Sequence, residues 1–392
     1  MGNSRPILLF VVNIPEFFLS HRLPLALAAR EAGYQVEIAT GPGPASASIR
    51  ELGFVHHELP LTRSGRNPFG ELRFLWALQR LLRSVQPDIL HLVTIKPVLY
   101  GGILARLLRV RAVVAAISGL GTIFVSKESR HGPIRRAVLW LYRIALGHPN
   151  IKVLCQNPDD RAMVLELGSV SEQQIELIPG SGVALEDYPV TPAPDATPVV
   201  VLAARLLADK GVLEYIEAIR ILRARGVQAR FWLVGAPDPD NITTICIDQV
   251  YNWRDQGLIE YLGFRQDIAS VFGQANIVVL PSYREGLPKV LIEAAACARA
   301  VVTTDVPGCR DAIVAGQTGV LVAVRDPVSL ANGIESLIGD RDKCEQMGQA
   351  GRALAASRFS VETVIERHLT AYQSLLAQTK SSSQRPPKPR LP

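Results

Sequence analysis

Cysteine is scarce in this chain and scattered where it occurs. The five residues (Cys155, Cys246, Cys297, Cys309 and Cys344) are odd in number and form no C-x-x-C pair. That excludes a disulfide framework and a zinc finger or ribbon as organising devices. It points to a reducing, cytoplasmic setting. Aromatic residues make up only 6% of the 392. No aromatic-basic platform or nucleic-acid motif stands among them, so nucleic acid is set aside as a partner. Membrane-length apolar runs are also missing. The uncharged stretch 112–126 falls short of the roughly 20 residues a spanning helix needs, and it carries the turn residues Ser118, Gly119 and Gly121. The opening run 7–12 is too short for a signal peptide. Asn13, Pro15 and Glu16 follow it where a small-residue cleavage site belongs. It reads as a first buried strand, in a soluble or peripheral protein.

What is present is an ordinary globular composition, 48% hydrophobic, with length enough for two domains. Charge is divided unevenly along it. Residues 1–150 hold 18 Lys and Arg against 8 Asp and Glu, while residues 151–379 hold 20 against 28. The tail 380–392 has four bases and no acid, and its Ser- and Pro-rich composition predicts disorder. Halves of opposite charge predict different partners. The basic half suits an anionic membrane surface or a phosphate-bearing acceptor. Within it, the segment 130–143 mixes four arginines with Trp140 and Tyr142. That pattern fits a helix on a membrane surface, and equally a helix packed on the domain with solvated arginines.

Apolar strands alternate with helical patterns throughout. Strands are expected at 6–12, 35–40, 89–93, 112–117 and 151–155, with helices at 20–32, 71–84 and 98–108. The Pro- and Gly-rich stretch 179–198 reads as a linker. A second set follows: strands at 199–204, 230–234, 259–262, 277–280, 300–304 and 319–322, and helices at 212–225, 267–272, 288–297 and 327–338. A late helix is expected at 361–376. Such alternation predicts parallel sheets covered on both faces, with ligands bound beyond the carboxyl ends of the strands. Two such sheets facing one another make a central cleft.

Chemistry gathers just after the strands of the second half. The segment Ser282-Tyr-Arg-Glu285-Gly-Leu-Pro-Lys-Val-Leu-Ile-Glu293 sets two carboxylates eight residues apart around a Gly286-Leu287-Pro288 turn. Pro288 suits a first helical position, where a missing N–H costs nothing. Gly286 lets a ligand approach the backbone. The following helix turns its positive end to that ligand. Arg205 and Lys210 follow the strand at 199–204, with Gly211 opening a helix. Two cations there suit a diphosphate, or else form an ordinary basic loop. Gly263-Phe264 follows the strand at 259–262, where the backbone can meet a flat base.

Taken together, this order resembles the retaining glycosyltransferases of family 4. The matching residues are Ala204-Arg205 with Lys210-Gly211, Gly235, Leu262-Gly263-Phe264, Glu285-x7-Glu293 with Gly286-Leu287-Pro288, Val306-Pro-Gly308 with Asp311, and Gly316-x-x-Gly319. The resemblance implies a GT-B fold, two Rossmann-like α/β domains facing a central cleft. Residues 1–180 then bind the acceptor and 181–357 the nucleotide sugar. A helix at 358–379 packs back on the first domain, and 380–392 is the disordered basic tail. Arg205 and Lys210 hold the diphosphate, Glu293 the ribose hydroxyls, and Glu285 the transferred sugar, with no bound metal or other cofactor. The segments 117–124 and 88–91 resemble members acting on lipid-linked sugars. Where many members carry a histidine in the acceptor half, this chain has Ser118-Gly119, and the Gly-Gly pair of many relatives is missing from the loop after the first strand. His91, His21, Arg22, Ser118 and Gly119, with Glu16, are the acceptor-side candidates.

The expected reaction is retaining transfer from a nucleotide diphosphate sugar to a polyprenyl-diphosphate-linked glycan. The donor is expected to be a UDP-hexose or UDP-N-acetylhexosamine. The setting is surface polysaccharide or lipopolysaccharide assembly on the inner face of the membrane. Two rivals share the architecture. A nucleotide-sugar 2-epimerase needs carboxylate and histidine acid–base groups around the sugar, and the Arg205/Lys210 and Glu285-x7-Glu293 set fits transfer better. A non-catalytic member keeps nucleotide-sugar binding without transfer.

Overall fold

The computed structural model describes residues 5–61, 68–119 and 133–383, except the side chains of 68, 133–135 and 379–383. It divides into two compact units, one of residues 1–178 with 365–392 and one of residues 179–364.

Unit 1 runs β1 (Ile7–Val12), α1 (Pro15–His21), α2 (Leu23–Glu31), β2 (Gln35–Thr40), α3 (Ser46–Glu51), β3 (Val55–Glu58), α4 (Pro68–Val85), β4 (Ile89–Val93), α5 (Gly102–Leu108), β5 (Ala112–Ile117), α6 (Pro133–Ala145), β6 (Ile151–Cys155), α7 (Pro158–Glu166) and β7 (Ile175–Leu177). Its sheet has the order β3-β2-β1-β4-β5-β6-β7, and every pairing is parallel. The helix expected over 20–32 is instead two. Pro15 starts α1 early, and Pro24, which has no N–H to give, falls in the first turn of α2 and separates the two at Arg22. A turn of π-helix, Pro97–Gly101, leads into α5.

Unit 2 runs β8 (Val199–Ala203), α8 (Val212–Ala224), β9 (Arg230–Val234), α9 (Ile247–Asp255), β10 (Glu260–Gly263), α10 (Ile268–Gly273), β11 (Ile277–Leu280), α11 (Lys289–Ala296), β12 (Ala300–Thr304), β13 (Gly319–Val322), α12 (Pro327–Ile338), α13 (Arg341–Arg358) and α14 (Val361–Ser383), the last grouping with unit 1 from Ile365 onward. Its sheet order is β10-β9-β8-β11-β12-β13, again with every pairing parallel. Successive residues of β8 feed opposite faces. Val200 and Leu202 join a core with Tyr215 and Ile334, while Val199, Val201 and Ala203 join one with Leu291 and Phe359. Burial on both faces explains why these strands read as unbroken apolar runs rather than alternating ones.

Two further expectations need correction. The stretch 179–198 is not a loose linker. Val183 and Tyr188 are buried in the unit 2 core, and Val183 bridges to Ser360. Residues 380–383, expected in a disordered tail, are the end of α14. The rest of that tail, 384–392, lies outside the described residues, as do residues 120–132.

Candidate active site

In unit 2 the strand order turns at β8, which has β9 on one side and β11 on the other. Ligands of open parallel sheets bind outside the carboxyl ends of the strands at such a point. The loops leaving β8 and β11 touch there, and glycine permits it. Gly211 adopts φ +74°, and a Cβ on it would lie 2.2 Å from the carbonyl oxygen of Pro281. Tyr283 N–H donates to Asp209 O at 2.9 Å, which ties the loops again.

The contact places Lys210 against Glu285. Lys210 Nζ donates to Glu285 Oε1, and Ser282 Oγ stands 2.6 Å from the same oxygen. Glu285 Oε2 accepts no hydrogen bond from a described residue. A third loop, after β12, braces the carboxylate from behind. Glu285 N–H donates to Pro307 O at 3.1 Å. Gly308, at φ +83°, lies so close that a Cβ would stand 2.5 Å from Glu285 O. Its own N–H donates to Asp311 Oδ2 at 2.9 Å. The Val306-Pro-Gly308 and Asp311 motif is therefore the backing of Glu285. Cys309, in that loop, is no nucleophile. Burial first, then the charge of Glu285, pushes its thiol up to about 12.

Arg205, just after β8, is held apart from that pair. Its Nη1 donates to Asp238 Oδ2 at 2.5 Å, while the side chain stays half exposed. Gly235 lets this loop meet the end of β9, since a Cβ there would overlap the Ala204 carbonyl oxygen. Gly263 ends β10 at φ +66° with open space where a Cβ would stand, and its carbonyl accepts from Gly235 N–H at 2.8 Å. Phe264 beside it projects into solvent, so backbone rather than ring is available to a base.

The second glutamate sits inside α11. Glu293 is nearly buried, and its Oε1 accepts from Tyr188 Oη at 2.7 Å and pairs with Lys289 Nζ at 3.2 Å. Pro288 is not the first helical residue. It is the N-cap, with extended ψ of 117°, and Lys289 begins the helix. Gly286 is buried, and its carbonyl also lies under Gly308. Leu287 faces away from polar chemistry, against Gly180 in the core. The structure thus joins Lys210 to Glu285 directly. Arg205 and Glu293 are given other partners.

The acceptor-side candidates of unit 1 do not form one cluster. His91 is corrected outright: it lies mid-strand in β4, not at its end, and is fully buried. Its Nδ1 meets Tyr372 Oη of α14 at 2.6 Å, and its ring stacks on Phe10. Burial, with Arg22 and His368 nearby, holds its pKa well below the usual histidine value. Arg22 is buried at 3% exposure in the same region, and loss of solvent lowers its pKa to about 10. His21 stacks on Phe17 and meets Ser20 Oγ at 2.7 Å. Glu16 accepts from Ala45 N–H at 3.2 Å. Ser118 and Gly119 follow β5 half-buried, at the edge of the described residues. Sequence reasoning missed Thr94. It follows β4 directly, next to the turn in unit 1's strand order, at φ +74° with Oγ1 buried and without a hydrogen-bond partner among the described residues. A β-branched residue in that conformation is strained, and no sequence pattern announces it. Asp238 and Tyr188 were missed for a different reason. They are ordinary residues made important by contacts far along the chain.

Both halves match known families. Residues 7–157 match the family described as glycosyl transferase 4-like, and residues 197–340 the one described as glycosyl transferases group 1. The chain is 25% identical over 380 residues to an N,N'-diacetylbacillosaminyl-diphospho-undecaprenol alpha-1,3-N-acetylgalactosaminyltransferase of Campylobacter jejuni, covering 92% of this chain and 98% of that one. It is 24% identical over 288 residues to the Escherichia coli UDP-Gal:alpha-D-GlcNAc-diphosphoundecaprenol alpha-1,3-galactosyltransferase, covering 69% and 71%. In fold it resembles Anabaena Alr3699/HepE, solved with UDP and glucose, at a TM-score of 0.74 and 19% identity, covering 94% and 100%.

Proposed function

Because the chain is a hexosyltransferase of the family-4-like glycosyltransferases, with the GT-B fold, we propose that it glycosylates a lipid-linked glycan. The sugar comes, with retention, from a nucleotide diphosphate sugar. The donor is a UDP-hexose or UDP-N-acetylhexosamine, and the acceptor a hydroxyl of a polyprenyl-diphosphate-linked glycan. The setting is surface polysaccharide or lipopolysaccharide assembly. The observation that carries this reading is the Lys210–Glu285 pair where the β8 and β11 loops meet. The names of the Campylobacter and Escherichia relatives support the lipid-linked acceptor.

The division of labour follows from charge and hydrogen bonding. Lys210 and Arg205 stabilise the charge that grows on the leaving diphosphate. Glu285, its Oε1 occupied, offers Oε2 to sugar hydroxyls. Already committed to Lys210 and Ser282, it is a poor covalent nucleophile. Front-face attack, with the departing diphosphate taking the acceptor's proton, therefore fits the residues best. Glu293 receives the ribose hydroxyls. No resident metal belongs to this reading, in which Lys210 and Arg205 supply the positive charge that offsets the diphosphate.

We also place the protein peripherally on the cytoplasmic membrane face. None of the described helices is long and apolar enough to cross a membrane. On α4, Leu72 and Trp76 are about three-fifths exposed and stand among the exposed Arg73, Arg80 and Arg83. On α6, exposed Trp140 stands between exposed Arg136 and Arg143, while Tyr142 is buried in the core. Apolar and cationic groups sharing a face suit anionic lipid.

The test is a panel of UDP-, GDP- and ADP-sugars scored for binding, then for transfer onto polyprenyl-linked acceptors. Free nucleoside diphosphate is expected only when acceptor is present, and EDTA is expected to leave the rate intact. Release without acceptor argues for another reaction. A strict need for Mg²⁺ contradicts the metal-free site.

A further inference from the structure

Tyr188 comes from the segment whose composition reads as linker, yet it reaches the donor helix. Its phenol donates to Glu293 Oε1 at 2.7 Å across 105 residues of sequence. The ring is buried in the unit 2 core. Its backbone is clamped as well. Arg352 of α13 donates through Nη1 to Tyr188 O at 2.8 Å and to Ala296 O at the end of α11, and through Nη2 to Leu185 O at 3.2 Å. One arginine therefore joins the strap carrying Tyr188 to the helix carrying Glu293. Lys289 Nζ forms an ion pair with the same carboxylate oxygen at 3.2 Å. Glu293 Oε2 accepts no hydrogen bond from a described residue.

We propose that Tyr188 is a positioning residue for donor binding. It orients Glu293 through one oxygen, leaving the other, which accepts no hydrogen bond from a described residue, for ligand hydroxyls. A glutamate has three side-chain torsions to fix, and one directed bond at Oε1 removes much of that freedom before the ligand arrives. Burial, then the charge of Glu293, raises the pKa of Tyr188, which keeps the phenol a donor at any ordinary pH. The inference rests on reading Glu293 as the carboxylate that receives ribose hydroxyls.

Tyr188→Phe keeps the buried ring and removes only the donated bond. The probe is whichever of UDP, GDP or ADP binds the wild type most tightly, compared by calorimetry with its 2′,3′-dideoxy analogue. The variant is expected to bind the ribonucleotide about tenfold more weakly, to bind the dideoxy analogue as the wild type does, and to melt within a few degrees of it. Donor KM rises with it, while kcat at saturating donor stays within about twofold. Equal weakening toward both nucleotides, or none toward either, overturns the positioning role. Glu293→Gln checks the underlying site reading separately. If that variant still prefers the ribonucleotide as strongly as the wild type, the placing of Glu293 at the ribose fails.

Discussion

Lys210 and Glu285 are drawn together by backbone before their charges meet. Gly211 on Pro281 and Gly308 on Glu285 bring the loops close enough that the side chains have little choice of partner. The pair is mostly buried, with side-chain exposures of 20% and 13%, so removing either member leaves the other poorly compensated. Lys210→Ala and Glu285→Ala are each expected to lower turnover by at least about a hundredfold. Far-UV circular dichroism should stay unchanged. Near-normal turnover in either variant removes the pair from the reaction. The motif around Glu285 was legible from residue types and spacing. Its partners were legible only in part, because Asp238 and Tyr188 carry no local signature and act through contacts 33 and 105 residues away.

At the level of elements, legibility followed burial. The fully buried strands β4, β5, β11 and β12 have the bounds their apolar runs predict. The edge strands β3 and β7 were not foreseen. β3 reads Val-His-His-Glu, with no buried face to impose a pattern. The helices α9 and α13 escaped too, since α13 mixes glycine, alanine and charge without a clear apolar stripe. For α4 the exposed face makes a prediction. Leu72→Ser with Trp76→Ser is expected to reduce flotation with anionic liposomes severalfold while leaving the melting temperature nearly unchanged. Binding equal to wild type sinks the assignment of this face. For α14 the buried contact of Tyr372 with His91 matters. Folded His91 binds a proton less readily than it does in the unfolded chain, so its contribution is complete above pH ~6.5 and declines as pH falls below that value. The melting temperature should drop between pH 7 and pH 5, and His91→Gln should flatten the drop. An unchanged slope would assign the acid sensitivity elsewhere, to His56 or His148, whose pKa values burial also lowers.

On the scale of the whole molecule, two parallel sheets and the charge division between the halves were both readable in advance. The attraction proposed between the basic half and anionic surfaces is electrostatic, so vesicle binding should weaken from about 0.05 to about 0.5 M salt as the Debye length shortens. Binding indifferent to salt points to apolar insertion alone. Connectivity was less readable, because helical periodicity marks α14 without saying which unit it joins. That connectivity has a consequence for biogenesis. Unit 2 is one continuous stretch, residues 179–364, whereas unit 1 needs residues from both ends of the chain. As the chain leaves the ribosome, unit 2 can close as soon as its own last residues emerge. The unit begun first is finished last, when Tyr372 arrives to cover His91 from 281 residues away. Until then its sheet lacks part of its cover, and any truncation ahead of α14 makes that interval permanent.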